Sequence, residues 1–153
     1  MTPVFLVAAG LLAVAGGTKL RSESRRERAL GVAECALGLA CVLVPTPGLA
    51  AALAVTYGVF GGYLLYLRRV SPGASCGCFG VDERPVGRVH VALDLVAAAV
   101  AGVAAAFPPT GLVRYASEHP ATAAPFAAGV GVTIYLAFLA VTLAPAFVRE
   151  LRA

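Results

Sequence analysis

Five apolar stretches of about membrane-helix length divide the sequence, and the charged residues gather in the segments between them. A helix that crosses a bilayer needs about 20 predominantly apolar residues. The stretches cover about residues 3–20, 29–44, 48–67, 89–107 and 124–148; the second is short and ends at Pro45 and Pro47. With 59% hydrophobic and 13% charged residues and a mean hydropathy of +0.86, the chain cannot hide its apolar surface inside one water-soluble core. The expected fold is all-α, a polytopic membrane helical bundle. It forms a single transmembrane domain over residues 1–153 with the lipid bilayer as its first partner.

The opening stretch ends in Ala13, Ala15 and Gly17, which resemble a small-residue processing site. A secretory signal carries its positive charge before the apolar run, whereas here Lys19, Arg21, Arg25, Arg26 and Arg28 follow it. A retained first helix is therefore expected. Of the twelve Lys and Arg residues, five lie between helices one and two, four (Arg68, Arg69, Arg84, Arg88) between three and four, and two at the C-terminus; only Arg114 falls on the opposite side. The positive-inside rule then places the N-terminus outside and the cysteine-bearing loop and C-terminus in the cytoplasm of a multi-pass protein of the cell (inner) membrane. The net charge of +4 is a topology signal and gives no reason to expect nucleic acid.

Lipid offers helices no hydrophobic reason to associate, so close approach through small residues must contribute. Gly58 and Gly62 form a GxxxG pair on helix three, and Ala13 and Gly17 share that spacing on helix one. No internal repeat is evident. The outer loop from Pro108 to Thr122 carries Tyr115, Glu118 and His119 without a recognisable pattern and is assigned to connection and interfacial anchoring.

The most specific feature is Cys76-Gly77-Cys78-Phe79-Gly80, preceded by Ser71, Pro72, Gly73 and Ser75. Glycine between and after the cysteines permits the sharp turn that brings two thiols together. A disulfide across one intervening residue closes a small, strained ring, and strained, exposed disulfides belong to the labile or catalytic class. Nearby cations raise the thiolate fraction, and Arg84, Arg88 and His90 follow closely. The competing view is that Cys is a small hydrophobe in a glycine-rich turn.

Ionisable residues inside apolar helices are costly and mark functional sites. Glu34 and Asp94 are the clearest, each about 9 Å inside the membrane at roughly 1.5 Å per residue. His90 and Asp94, spaced i, i+4, share a helix face where the carboxylate can hold the imidazole basic; such a pair could move protons during thiol exchange. The alternative is that His90 marks the interface and Asp94 pairs structurally with Lys19 or Arg88. On helix two, Glu34, Gly38 and Cys41 form one stripe and Cys35 points about 100° away. Cys35 is a candidate resolving thiol for Cys76 or Cys78; Cys41 is assigned to packing.

On three pieces the chain resembles the methylamine-utilisation protein E (MauE) family within the wider DoxX-like group of small membrane proteins. They are Ala15-Gly16-Gly17-Thr18-Lys19-Leu20, Glu34 with Gly38, and Cys76 to Gly80 followed by Arg88 and a further helix, together spanning about residues 10 to 105. The resemblance implies a four-helix bundle, to which helix five is an addition. It also implies a role in disulfide formation or maturation of a partner protein, and DoxX-like relatives are linked to quinone or sulfur redox chemistry. Arg88 and Lys19 are the candidate cofactor-binding residues and a quinone the candidate cofactor. The family's association with disulfides on the outer side contrasts with the inner placement of the cysteine loop: electrons pass across, the loop dips into the bundle, or the orientation is inverted.

The leading expectation is a membrane thiol-disulfide oxidoreductase or electron conduit in which Cys76 and Cys78 alternate between dithiol and disulfide, with a thiol/disulfide protein as partner. Cys35 resolves, and His90, Asp94 and Glu34 handle protons or orient a quinone. Soft-metal binding or transport is the first alternative, since two close thiolates with Cys35 and His90 also suit Cu(I), Zn or a heavier thiophilic ion, although a second Cys pair to receive the ion is missing. A non-catalytic assembly subunit is the second.

Overall fold

A computed structural model describes residues 2–71 and 88–150, which form six helices. They are α1 (Thr2–Lys19), α2 (Arg25–Leu43), α3 (Pro47–Val70), α4 (Arg88–Ala106), α5 (Leu112–Glu118) and α6 (Pro120–Glu150). Cys76, Cys78 and Arg84 lie outside the described residues, as does the side chain of Arg88.

Local signals set the ends of the helices. Ser24 caps α2 by accepting from the Glu27 amide at 3.5 Å, and the Glu27 carboxylate takes a hydrogen bond from the Ser22 hydroxyl. That cap carries the helix back through Arg25–Arg28, ahead of the apolar run that begins at Ala29. Thr46 caps α3 through the Leu49 amide at 3.2 Å, with Pro47 at its first turn, where a missing N–H costs nothing.

α1, α3, α4 (from Val89) and α6 (through Ala140) are long and apolar enough to cross a membrane. α2 is not among them, because its first turn is charged and Glu34 lies within it. Large apolar side chains point outward from the bundle, among them Val55, Val59, Val96, Val132 and Leu136. Such a surface is untenable in water and suited to lipid.

α1 packs chiefly on α2, and α3 on α4, as two antiparallel hairpins. The core between them is built from Phe5, Leu6, Leu12, Cys41, Leu53 and Tyr57. The α1–α2 seam is made by glycine. A Cβ on Gly16 would stand 2.6 Å from the Gly31 carbonyl oxygen, and one on Gly38 2.5 Å from that of Ala9. The expected GxxxG contact is different: Gly58 and Gly62 are exposed and have nothing within 4 Å of an added Cβ, and the same is true of space around Gly17. The spacing recurs on α3, but the face it occupies is turned to lipid.

α6 runs in the same direction as α1 and lies against it, with Ile134 seated on Gly10. The segment assigned to connection and interfacial anchoring contains α5, which rests on α6 and α2. Gly111 abuts Leu43 and Pro45 at the α2–α3 turn, and the Tyr115 ring lies 4.2 Å from that of Phe126. Arg114 donates to Glu118 at 2.7 Å on the solvent side.

That guanidinium, hydrogen-bonded to it, holds the Glu118 carboxyl below its ordinary range. A carboxyl whose folded value is lowered contributes above its unfolded value, and the contribution is lost as pH falls through the folded value. Acidification is therefore expected to lower the protection of the amides across residues 112–118, read as exchange relative to the intrinsic rate at each pH. Glu118→Gln should remove this pH dependence; equal acid sensitivity in the variant would contradict the assignment.

Candidate functional site

Two groups of polar side chains occupy the interior, one on each hairpin. The first is an ion pair. Lys19 closes α1, where a cation suits the helix C-terminus, and its Nζ lies 2.5 Å from Glu34 Oε1. Both are buried, Lys19 at 9% and Glu34 at 3% exposure. The glycine seam creates this pair: a Cβ on Gly31 would meet the Lys19 Cβ at 2.9 Å, and one on Gly16 would meet the Glu34 Cβ at 2.9 Å. With the backbones that close, a long lysine reaches a glutamate on the neighbouring helix without leaving the bundle.

The Lys19 ammonium also stands 5.3 Å from the centroid of the Phe60 ring on α3, a cation–π contact strengthened by desolvation. Glu34 Oε2 is buried and has no hydrogen-bond partner among the described residues. An ion pair taken out of water needs good geometry and further hydrogen bonds to offset desolvation. Here one oxygen is fully engaged and the other keeps an open acceptor.

The second group lines a cavity of about 210 Å³ walled by α1, α3, α4 and α6, in which Tyr57, His90 and Asp94 are the polar members. Val4 and Val96, more than half exposed, sit at its rim, so the cavity opens toward the lipid-facing surface. Among the described residues the buried His90 Nδ1 has no hydrogen-bond partner, so the expected link to the Asp94 carboxylate is not made through that nitrogen. α4 approaches α3 closely at Gly61, where a Cβ would stand 3.4 Å from the Asp94 Cβ. The Tyr57 hydroxyl donates to the Ala8 carbonyl at 2.6 Å, and Tyr57 is within electrostatic reach of both Asp94 and Glu34.

Of the residues singled out in the sequence, the structure joins Lys19 to Glu34 and sets His90 and Asp94 on one cavity. Lys19, one of the two partners that the alternative reading offered Asp94 beside Arg88, is thus engaged by Glu34. Cys41 and Glu34 are buried on the same stripe of α2 with Gly38. Cys35 is half-buried and its thiol donates to the Ala13 carbonyl at 3.1 Å; Cys41 donates to Leu49 at 3.5 Å. Cys76 and Cys78 fall in the segment joining α3 to α4, outside the described residues. Among the described residues, no three His, Cys, Asp or Glu side chains gather as a metal-ligating group.

Tyr57 and Phe60 were not anticipated from the sequence. A phenol in the middle of an apolar helix was the available signal, because a buried hydroxyl has to find a partner. Phe60 carried none, since its contact depends on how α1 and α3 are aligned.

Outward apolar surfaces, four helices of spanning length and charges confined to the interior or the helix ends define a multi-pass α-helical membrane protein. Residues 26–107, more than half the chain, match the family model of methylamine utilisation protein MauE, and the chain belongs to that family. The match takes in Glu34, the cysteine loop, His90 and Asp94 and leaves out α1, with Lys19, and α6. No curated protein and no solved structure is significantly similar to it.

Proposed function

We propose that the protein is a membrane thiol-disulfide oxidoreductase or electron conduit that supports disulfide formation in a partner protein. It lies in the inner membrane with five crossings, α2 included, and its cysteine loop on the cytoplasmic side. The observation that carries this reading is positional. The Cys76–Cys78 segment lies within the family match and springs from the ends of α3 and α4, the two helices that supply Tyr57, His90 and Asp94 to the cavity.

In the proposed step, a partner dithiol closes to a disulfide while the Cys76–Cys78 disulfide opens to two thiols. Two electrons and two protons move together. His90 and Asp94 are the groups assigned to proton transfer, since a base near exchanging thiols shortens the proton's path. The family's description points to methylamine utilisation as the process that the partner serves.

The cavity fits the head group of a quinone. An apolar space of about 150 Å³ accommodates a benzene-sized ring, and about 210 Å³ with three polar side chains and a lipid-facing mouth leaves room for a ring with carbonyl oxygens. A quinone there would accept the two electrons and two protons released when the dithiol closes again. Lys19, engaged with Glu34, is better suited to fixing α1 on α2 than to touching such a ligand.

The test is a thiol-trapping gel shift in native membranes. Wild-type protein is expected to interconvert between dithiol and disulfide mobilities as reductant and oxidant are exchanged, and Cys76→Ser or Cys78→Ser should abolish the interconversion and partner oxidation together. Unchanged shifts in both variants would refute the reading.

A further inference from the structure

Tyr57 lines the cavity with His90 and Asp94 and lies within electrostatic reach of Glu34 in the other polar group. It is 7% exposed. Its hydroxyl reaches across to α1 and donates to the Ala8 carbonyl at 2.6 Å. Ala8, Tyr57, His90 and Asp94 all line the same cavity, so this hydrogen bond closes the wall on the α1–α3 side. One turn further along α3, Gly61 lets the Asp94 Cβ come close, which seats α4 on the face that Tyr57 occupies.

We propose that Tyr57 is a positioning residue for the His90–Asp94 pair, clamping α3 to α1 so that the cavity keeps the width and dryness that set the pair's protonation. The physical basis is general. In lipid, helix association lacks a hydrophobic term and leans on interhelical hydrogen bonds and close packing, and the proton affinity of a buried imidazole or carboxyl follows its hydration and its charged neighbours. Among the described residues, the charged groups within electrostatic reach of Tyr57 are Asp94 on α4 and Glu34 on α2, and Asp94 shares the cavity with His90; α1 and α6 give the cavity only apolar side chains. Loss of the hydroxyl loosens the wall and changes hydration at His90 and Asp94 while the phenyl ring keeps the core filled. The inference rests on the reading of this pair as the proton-handling group of the redox cycle.

The chain has two histidines, and His119, at the exposed end of α5, serves as an internal reference. The full chain labelled with 15N-histidine is titrated by NMR in nanodiscs, as wild type and as Tyr57→Phe. The expected result is a His90 midpoint displaced by at least about 0.5 pH unit with His119 unmoved. A purely structural tyrosine would leave both titrations alone, and that outcome in a folded variant overturns the proposal. Should Tyr57→Phe lower the folded yield, 4-fluorophenylalanine incorporated at position 57 fills the space of the hydroxyl without a donor, and a His90 titration identical to the unmodified protein's overturns it equally. A displaced His90 midpoint in a protein whose Cys76 and Cys78 never change redox state would support the positioning role while refuting the oxidoreductase reading.

Discussion

Glu34→Gln is expected to destabilise the protein by about 3–5 kcal/mol, the scale for removing one partner of a buried ion pair. Glutamine preserves the volume and one hydrogen-bond acceptor but leaves the Lys19 ammonium, 9% exposed, without its counter-charge at 2.5 Å. The contact with Phe60 is too weak to replace it, being worth about 2 kcal/mol when desolvated. The diagnostic comparison is the double variant Lys19→Met with Glu34→Leu. Replacing both charges by apolar groups of similar size is often neutral or stabilising, so the double variant should recover most of what the single one loses. Unfolding in detergent, followed by loss of helical signal, measures both. A single variant as stable as wild type, or a double variant as unstable as the single, would show that the pair does not hold α1 to α2.

Gly16→Ala and Gly38→Ala should each cost about 1–3 kcal/mol, the range for forcing extra methyl groups into a packed interior. The upper end is expected, because the first atoms met are main-chain oxygens and nitrogens at 2.5–2.7 Å, which no rotamer change can move aside. Gly58→Ala and Gly62→Ala serve as matched controls on α3, with nothing within 4 Å of the added carbon. They should be neutral or slightly stabilising through helix propensity. The same unfolding measurement decides: comparable losses at all four positions would mean that the helices pack through a different face from the one described.

Those four glycines also mark where the sequence informs and where it does not. The buried stripe Glu34, Gly38 and Cys41 was legible because 3.6-residue periodicity is a property of one helix. GxxxG spacing is legible too, but it carries no information on which face meets a neighbour, and on α3 the motif points away from the bundle. The start of α2 at Arg25 depends on the Ser24 cap, a signal lying outside the apolar run by which helices were bounded. α5 is seven residues long, too short for periodicity to rise above its surroundings.

Partnerships between helices were the hardest to read. That an acid in α2 needs a counter-charge follows from burial costs, but Lys19 rather than another cation is selected by the α1–α2 alignment, which Gly16 and Gly31 fix. Phe60 and Tyr57 became visible only once α3 was placed against α1. The cysteine pair is the opposite case. It stands out in the sequence because glycine and thiols adjoin within one turn, and its placement lies outside the described residues.

Main chain touching main chain has a mechanical corollary. Where Gly16, Gly31 and Gly38 bring two backbones together, neither rod can twist or slide past the other without collision, so the first hairpin behaves as a single stiff beam. Any adjustment then falls to α3 and α4, which the Tyr57–Ala8 hydrogen bond ties to that beam. Breathing of the molecule would accordingly move α3 and α4, leaving the charged couple at the beam's end undisturbed.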